Sequence, residues 1–371
     1  MLIGVPKEIK NHEYRVGLTP SSVIELVARG HRVMVEVNAG AAIDFSDDEY
    51  RAAGAEMVAN AVELFAMADM IVKVKEPQPT EWAMLRDGQI LYTYLHLAPD
   101  PEQTKLLVES GATCVAYETV TDNQGGLPLL APMSEVAGRM SVQAGAHHLE
   151  KAQGGRGVLL GGVPGVAPAK VLIIGGGVVG DNAAAIAVGM GADVTILDRS
   201  IARLRQLDAK YEGRAHCVYS TVVAIEEYAL EADLVIGAVL IPGAAAPKLL
   251  TRDIIGRMKK GAVVVDVAID QGGCFETSRA TTHQQPTFVV DDIVHYCVAN
   301  MPGGVARTAT MALNNATLPY ALALADDPVN ALFLDKNLQN GLNVHKGQVT
   351  YKAVADALGY HYIPADEALK I

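Results

Sequence analysis

The sequence has few aromatic residues, few cysteines and no long uninterrupted hydrophobic segment. Phe, Trp and Tyr make up only 5% of its 371 residues, whereas half of all residues are hydrophobic. Small aliphatic side chains must therefore fill the core, as in helices packed on a Val- and Ile-rich sheet. The four cysteines, at positions 114, 217, 274 and 297, show no C-x-x-C spacing. Neither a disulfide framework nor a zinc site is indicated, and a reducing cytoplasm fits this cysteine usage.

Membrane insertion, secretion and nucleic-acid binding are not indicated either. The most apolar segment, residues 171–192, contains Asp181 and six glycines and follows Lys170, which makes it a poor bilayer span. The segment MLIGVPKEIK has too few apolar residues for a signal peptide. The formal charge of −12 would repel nucleic acid and anionic membranes. We expect a cytoplasmic protein whose partners are small molecules.

Apolar runs alternate with amphipathic segments in two series, which is the pattern of an α/β fold of about two domains. In the first series, Thr19 can cap a helix that begins at Pro20 and stops at Gly30. The expected strands are LIGVP, HRVMVEV, DMIVKVK, QILYTYLHL and ATCVAYETV in the first series, and segments near 170–174, 192–197, 233–238, 262–267 and 287–290 in the second.

The second series opens with a glycine motif. VLIIGGGVVG places Gly175, Gly177 and Gly180 in the G-x-G-x-x-G spacing between a strand and a helix. In a dinucleotide site the first glycine permits a tight turn, the second lets the backbone approach a pyrophosphate, and the third allows close packing of helix on strand. The alternative is a glycine-rich turn in a purely structural unit.

An acidic residue supports the dinucleotide hypothesis. Asp198 ends the strand ADVTILD about 20 residues beyond the loop, where a carboxylate can accept hydrogen bonds from a ribose diol and would repel a 2′-phosphate. NAD is therefore favoured over NADP, although Arg199, Arg203 and Arg205 lie close enough to keep NADP open.

The expected fold class is α/β, with two Rossmann-like domains that contain parallel sheets. An alanine-rich helix from Ser134 and the glycine-rich residues 154–168 separate the two series. The roughly 60 residues after the second series are too few for a domain of their own, so we expect them to return to the first. The NAD-binding domain, residues 134–304, is then inserted into a discontinuous catalytic domain, residues 1–133 plus 305–371.

Three polar residues of the first series lie at the expected end of a strand or in the loop that follows one. Arg15 follows LIGVP and could bind a carboxylate through its fork of donors. Lys75 ends DMIVKVK and is better placed than Lys73, because ligands of open α/β sheets bind at carboxyl ends of strands. His96 ends QILYTYLHL, shares a face with two tyrosines and could exchange a proton near neutral pH. The alternatives are a solvated charged loop for Arg15, a surface charge for Lys75 and a buried structural histidine for His96.

The second series offers comparable residues. In GAVVVDVAIDQGG, Asp266 and Asp270 share one strand face, and Asp270 at the strand end could meet a substrate or water, whereas Asp266 is expected to be structural. CVANMPGG offers Asn300 and Met301 to a crevice, and the alternative is an ordinary Pro-Gly turn.

Together these residues resemble the alanine dehydrogenases, within the group that includes the NAD-binding subunit of proton-translocating transhydrogenase. The resemblance covers nearly the whole chain. It lies in GVPKEIKNHEYRVGLTP, IIGGGVVGDNAAAIAVGMGADVTILD, VDVAIDQGGCFET and HYCVANMPGGVARTATMALNNATLPY. It implies the reversible NAD-dependent oxidative deamination of L-alanine to pyruvate and ammonia.

The resemblance also implies residue roles. Arg15 and Lys75 would hold the carboxylate and carbonyl region of the substrate, and His96 and Asp270 would be the catalytic acid and base. Cofactor contacts are implied at Ser134, Val178, Asp198, Arg203, Ser220, Val239, Leu240, Val267 to Asp270, Val298, Asn300 and Met301. Family enzymes are cytoplasmic hexamers, so a homohexamer is expected. A related enzyme holds a divalent metal through a Glu and a His after its LPY helix; ALALADDP lacks both, and no metal is expected.

Three other functions remain open at this point. The chain could be a transhydrogenase subunit that passes hydride to a membrane partner, a dehydrogenase for a larger amino acid, or an NAD sensor without catalysis. Because His96 and Asp270 lie in different predicted domains, an enzyme would have to close these domains around its substrate.

Overall fold

The computed structural model describes residues 1–239 and 246–370. The chain forms two compact units: unit 1 contains residues 1–133 and 305–371, and unit 2 contains residues 134–304. The strands in the described ranges are β1 Leu2–Val5, β2 Arg32–Glu36, β3 Glu56–Val58, β4 Met70–Val72, β5 Ile90–Thr93, β6 Thr113–Ala116, β7 Lys170–Ile174, β8 Asp193–Asp198, β9 Ala215–Tyr219, β10 Leu234–Gly237, β11 Val263–Asp266, β12 Thr287–Val290, β13 Ile293–Tyr296, β14 Leu342–His345 and β15 Gln348–Val349.

The α-helices in the same ranges are α1 Pro20–Ala28, α2 Asp47–Ala52, α3 Ala61–Met67, α4 Pro79–Trp82, α5 Pro101–Ser110, α6 Ala131–His148, α7 Val178–Gly189, α8 Ile201–Tyr211, α9 Val222–Glu231, α10 Arg252–Arg257, α11 Ala306–Asp326, α12 Pro328–Leu334, α13 Lys336–Gln339, α14 Lys352–Leu358 and α15 Ala365–Ala368. Short 3₁₀ helices cover Ala41–Ile43, Tyr117–Thr119, Lys151–Gln153, Ile269–Gln271 and Met301–Val305. None of the helices in the described part of the chain is long and apolar enough to cross a membrane.

The boundaries of α1 follow from local chemistry. The Thr19 hydroxyl accepts a hydrogen bond from the Ser22 N–H at 3.2 Å, and Pro20 occupies the first turn. Gly30 has a φ of 85°, a conformation that costs glycine little and ends helices efficiently. The predicted cap, start and stop of this helix are all confirmed.

The sheet of unit 1 has the order β3-β2-β1-β4-β5-β6-β14-β15. The first six of these strands are parallel, whereas β14 runs antiparallel to β6 and β15 antiparallel to β14. The C-terminal segment therefore returns to the first sheet, as expected. A tight turn at Lys346 and Gly347, with φ values of 45° and 78°, joins β14 to β15 in the way that two-residue hairpins require.

The sheet of unit 2 has the order β12-β13-β11-β10-β7-β8-β9. All neighbouring pairs are parallel except β12 with β13. Val171 and Ile173 of β7 pack in one hydrophobic cluster and Leu172 and Ile174 in another. Both faces of the strand are buried, which explains why it reads as a continuous apolar run. The predicted α/β class with two Rossmann-like sheets is confirmed, with the correction that antiparallel edge strands make both sheets mixed.

Candidate functional site

In unit 1 the candidate residues follow the carboxyl ends of adjacent parallel strands. Arg15 lies in the segment after β1, Lys75 follows β4 and His96 follows β5, and these strands are neighbours in the order β1-β4-β5. From β1 the sheet extends through β2 and β3 on one side and through β4, β5 and β6 on the other. The position between β1 and β4 is therefore the switch point at which open α/β sheets bind ligands. The fold thus brings these three segments to one edge of the sheet.

Arg15 is buried and held by a carboxylate. Its side chain is 2% exposed, and Glu13 accepts hydrogen bonds from its Nε at 2.7 Å and its Nη2 at 2.6 Å. Burial alone would lower the pKa of Arg15, but the bond to Glu13 and its charge hold that pKa above the usual value. The Nη1 group contacts the sulfur of Met133 at 3.1 Å. The alternative of a solvated charged loop is therefore wrong for Arg15.

Strand β4 ends at Val72, so Lys73 and Lys75 lie beyond it and not on one strand face as expected, and their surroundings differ. Lys73 is fully buried, and its Nζ lies 3.0 Å from a Glu8 oxygen and 2.9 Å from a Glu81 oxygen. Lys75 is half-buried, and its backbone N–H donates to Glu8 at 3.1 Å. Lys73 is thus committed to an internal ion-pair network. Glu8, which links the network to the backbone of Lys75, was not recognised from the sequence.

The structure corrects the geometry expected for His96. Strand β5 ends at Thr93, so His96 lies beyond the strand, with a left-handed φ of 50°. Its side chain is 48% exposed, and the alternative of a buried structural histidine is wrong. Its ring stacks on that of Tyr94, with centroids 5.9 Å apart and planes 6° from parallel.

The two tyrosines of this segment are structural. The hydroxyl of Tyr92 donates to the Thr317 carbonyl at 3.2 Å and that of Tyr94 to the Leu129 carbonyl at 2.5 Å. Both phenol rings are buried, and both pack edge-on against Tyr117. Burial raises the pKa of Tyr94, so this hydroxyl stays protonated and serves as a donor. The packed rings of Tyr92, Tyr94 and Tyr117 thus hold the backbone segment that leads to His96.

Glu118 lies against the His96 segment and was not recognised from the sequence. Its carboxylate accepts the backbone N–H of His96 at 2.6 Å and that of Leu95 at 3.2 Å. It lies just after β6, the neighbour of β5. The rule that singled out Lys75 and His96, a polar residue near the end of an expected strand, points in ATCVAYETV to Glu118 and Thr119.

In unit 2 the candidate cofactor residues gather in the same manner. Parallel strands share one carboxyl edge, and β7 and β10 flank the switch point of this sheet. The residues that end or follow these strands are Gly175, Asp198, Ser220, Val239, Val267 and Val298, whereas Leu240 lies outside the described residues. Ser134 is half-buried in α6, and Val178 is the first residue of α7.

The three motif glycines have the geometry of a dinucleotide turn. Gly175 has a φ of 103°, and a Cβ on Gly180 would lie 1.8 Å from the Gly175 carbonyl oxygen. Nothing lies within 4 Å of the position of a Cβ on Gly177, which caps α7. The first glycine therefore makes the turn, the third permits close packing, and the second leaves the open surface that a pyrophosphate requires at a helix N-terminus.

We expect Gly180→Ala to weaken dinucleotide binding at least about tenfold and to lower the melting temperature, because the added methyl group must displace backbone at the loop. Isothermal titration and thermal unfolding measure the two effects. Gly189→Ala is the matched control in the same helix, since its methyl group would meet nothing within 4 Å. Equal behaviour of the two variants would contradict the packing role of Gly180.

The acidic and basic residues near the loop have distinct contacts. Asp198 accepts the Gly176 N–H and the Ser200 N–H, both at 2.7 Å. Arg203 donates to the Gly176 carbonyl at 2.6 Å and to Asp181 at 2.9 Å. Burial alone would raise the pKa of Asp181, but bonds from Lys210, Tyr211 and Arg203 hold it below its usual value. Arg203 is therefore occupied by an ionised partner.

The aspartates after β11 do not share a strand face. The strand ends at Asp266, which is fully buried and accepts bonds from the backbone N–H of Cys274 at 2.9 Å and the Ser278 hydroxyl at 2.5 Å. Its structural role is confirmed. Asp270 is exposed and lies in the 3₁₀ helix Ile269–Gln271. The alternation of polar and apolar residues predicted a strand that continues to Asp270. The strand ends at Asp266 because this carboxylate binds the turn that follows.

The remaining residues lie at the end of the second series. Asn300 has a left-handed φ of 63°, and its carbonyl accepts a bond from the His283 ring at 3.1 Å. Met301 is buried. No group of three or more His, Cys, Asp and Glu side chains suitable for a metal occurs in residues 1–239 and 246–370.

A sheet of this order, with a glycine turn at its switch point and a carboxylate ending the next strand, defines the class of nucleotide-binding α/β proteins. Family sequence profiles narrow this class. The profile described as the N-terminal domain of alanine dehydrogenase/PNT matches residues 4–137, and that of the C-terminal domain matches residues 141–352. The chain belongs to the alanine dehydrogenase/PNT family, and the resemblance inferred from the sequence is confirmed.

Similar proteins extend over the whole chain. An alanine dehydrogenase of Halomonas elongata is 63% identical over 366 residues, 98% of this chain and 99% of the relative. A solved structure of an L-alanine dehydrogenase has a TM-score of 0.95 at 52% identity, covering 97% of this chain and 99% of its own. A transhydrogenase structure from Sinorhizobium meliloti has a TM-score of 0.82 at 26% identity, covering 95% and 100%. The chain is thus more similar to alanine dehydrogenases than to this transhydrogenase.

Proposed function

We propose that the protein catalyses the NAD-dependent oxidative deamination of L-alanine to pyruvate and ammonia, and the reverse reductive amination. The observation that carries the proposal is the 63% identity to an alanine dehydrogenase over 98% of the chain. The two polar sheet edges supply the groups that such a reaction needs.

In the proposed reaction, NAD held by the glycine loop and Asp198 of unit 2 would supply the acceptor for the hydride of the substrate α-carbon. Arg15 and Lys75 bind the substrate carboxylate and stabilise negative charge on it and on the alkoxide oxygen that develops when water adds to the substrate. The amine loses a proton as the hydride leaves, and the substrate becomes an imine. Water adds to the imine carbon to form a carbinolamine, and breakage of the C–N bond releases ammonia and leaves the carbonyl group of pyruvate. His96 exchanges a proton with the substrate oxygen, and Asp270 orients and polarises the attacking water. The roles of these four residues follow from the chemistry and from the family resemblance.

The test is a spectrophotometric screen of NAD reduction with a panel of small L-amino acids. Reduction with alanine well above that with larger amino acids is the expected result. Turnover only with a larger amino acid would favour the second dehydrogenase alternative. Absence of turnover together with capture of a transhydrogenase partner would favour the subunit alternative, and NAD binding without any turnover would favour a sensor.

We expect the protein to bind NAD at least about a hundredfold more tightly than NADP. A 2′-phosphate at the ribose position would meet the Asp198 carboxylate, and an uncompensated like-charge contact costs several kcal/mol. Arg203 is paired with Asp181 at 2.9 Å and is a poor counter-ion for that phosphate. Fluorescence titration with both dinucleotides measures the ratio; comparable affinities would reject the assignment of Asp198 to the ribose diol.

The finer aspects of cofactor, assembly and location belong to the same proposal. NAD is the proposed cofactor, contacted by the loop glycines and by the residues that follow the strands of unit 2, including Asn300 and Met301. The protein is proposed to work in the cytoplasm as a homohexamer on L-alanine, pyruvate and ammonium. All four cysteines are free, which supports a reducing compartment. Light scattering coupled to gel filtration tests the hexamer.

A further inference from the structure

We infer that Glu118 is a positioning residue, which holds the backbone of His96 in the conformation that presents its imidazole to the substrate. The inference rests on the proposed function, because it assigns His96 a part in the reaction. It adds a residue from the 3₁₀ helix that follows β6, the strand next to β5.

Where β5 ends, the Glu118 carboxylate takes the place of the backbone acceptors of a neighbouring strand. The last register pair between β5 and β6 is Thr93 with Ala116. Beyond it, both Glu118 oxygens accept the Leu95 N–H at 3.2 Å, and one accepts the His96 N–H at 2.6 Å. A charged acceptor makes short, strong bonds to backbone donors. Glu118 therefore satisfies two successive N–H groups that would otherwise lack a strand partner.

These bonds coincide with an unusual backbone conformation. His96 has a φ of 50°, which L side chains adopt rarely and which persists where the surroundings impose it. The short bond to Glu118 is made by the N–H group of this very residue. The side chain of Glu118 is only 13% exposed, so the bond is largely shielded from competing water.

The imidazole ring itself is positioned by a different contact. Its Nδ1 lies 3.9 Å from the nearest Glu118 oxygen, beyond hydrogen-bond distance. The ring instead stacks on Tyr94 at 5.9 Å, and the Tyr94 hydroxyl is anchored to Leu129. Glu118 thus hydrogen-bonds the main chain of His96 and not its ring, and the ring lies parallel to that of Tyr94.

The activity test combines Glu118→Ala and Glu118→Gln with His96→Ala. We expect Glu118→Ala to lower kcat for alanine about tenfold to a hundredfold, the usual cost of a displaced reacting group, with NAD affinity within about twofold of wild type. Glu118→Gln keeps an oxygen for the His96 N–H and is expected to restore most of kcat. In the His96→Ala background, Glu118→Ala should cause no further loss. Glu109→Ala, an exposed carboxylate on α5, is the surface control.

Two results would overturn the inference: an undiminished kcat in Glu118→Ala, or equal losses from Glu118→Ala with and without His96. The second would mean that Glu118 acts on the fold rather than through the imidazole. Should Glu118→Ala fail to fold, Glu118→Asp, which retracts the carboxylate by one methylene group, takes its place with the same expectations.

A structural measurement distinguishes failure of this inference from failure of the proposed function. Crystal structures of the variants should show φ of His96 leaving the left-handed region in Glu118→Ala and staying there in Glu118→Gln. This result does not depend on turnover, so it decides the positioning role even if alanine proves not to be a substrate. An unchanged His96 backbone in Glu118→Ala would refute it.

Discussion

Replacing His96 by alanine should lower the turnover of alanine about a thousandfold, within the 10²- to 10⁴-fold range that a positioned proton-transfer group contributes. The affinity for NAD should stay within about twofold of wild type, because His96 belongs to unit 1 and the glycine motif to unit 2. Steady-state kinetics and dinucleotide titration separate the two effects.

The matched control for this variant is His361→Ala, since His361 is also exposed in unit 1. Its turnover should equal that of the wild type. A His96→Ala enzyme that keeps its kcat would remove His96 from the reaction, whereas loss of NAD binding in that variant would mean that the substitution damages the fold.

Replacing Lys73 by methionine should reduce the free energy of unfolding by about 3–5 kcal/mol, the usual cost of removing one partner from a buried ion pair. Glu8 and Glu81 would keep their buried side chains but lose the ammonium group 3.0 Å and 2.9 Å away. Burial alone would lower the pKa of Lys73, yet the two glutamates hold it above its usual value. Lys73 therefore keeps its charge in the folded protein, and its burial depends on the two carboxyl groups.

Urea denaturation of Lys73→Met and Lys105→Met measures this effect. Lys105 is 65% exposed and 3.8 Å from Glu109, and an exposed pair of this kind contributes at most about 1 kcal/mol. We expect the Lys105 variant to match the wild type. Equal destabilisation of both variants would show that Lys73 with its two buried glutamates contributes no more than a surface pair.

The Lys73 variant should also show a characteristic pH dependence. Burial raises the pKa of Glu8 even with Lys73 opposing it, and loss of the lysine raises that pKa further. A carboxyl whose folded pKa lies above its unfolded value favours the folded state when protonated. The deficit relative to wild type should therefore be largest and constant above the folded pKa of Glu8 in the variant, and should shrink as the pH falls from that pKa toward 4.5, the usual value for glutamate. A deficit that is constant with pH would exclude Glu8 as its source.

The sequence predicted the elements whose signal is local. Thr19, Pro20 and Gly30 define α1 because capping, proline and a left-handed glycine act within one turn. The glycine spacing and Asp198 predict the loop of unit 2 because each residue meets a steric or charge requirement of its immediate neighbours.

Predictions were wrong where a distant residue decided the outcome. The alternation in LYTYLHL continues to His96, but β5 ends at Thr93, since Glu118 takes over the next N–H groups. The alternation in VVVDVAID likewise extends past Asp266, whose carboxylate binds the following turn instead. The alternation of residue types along a segment does not show where a side chain replaces the backbone hydrogen bonds between two strands and so ends the strand.

By itself, the sequence determined the family, the α/β class, the nucleotide loop and the residue types available for chemistry, because these depend on spacing along the chain. Only the tertiary structure decided that Arg15 is buried against Glu13, that Lys73 is enclosed by Glu8 and Glu81, and that Glu118 accepts the N–H of His96. Burial and pairing set the charge and orientation of each group, and both arise only when segments far apart in the chain are brought together at one edge of a sheet.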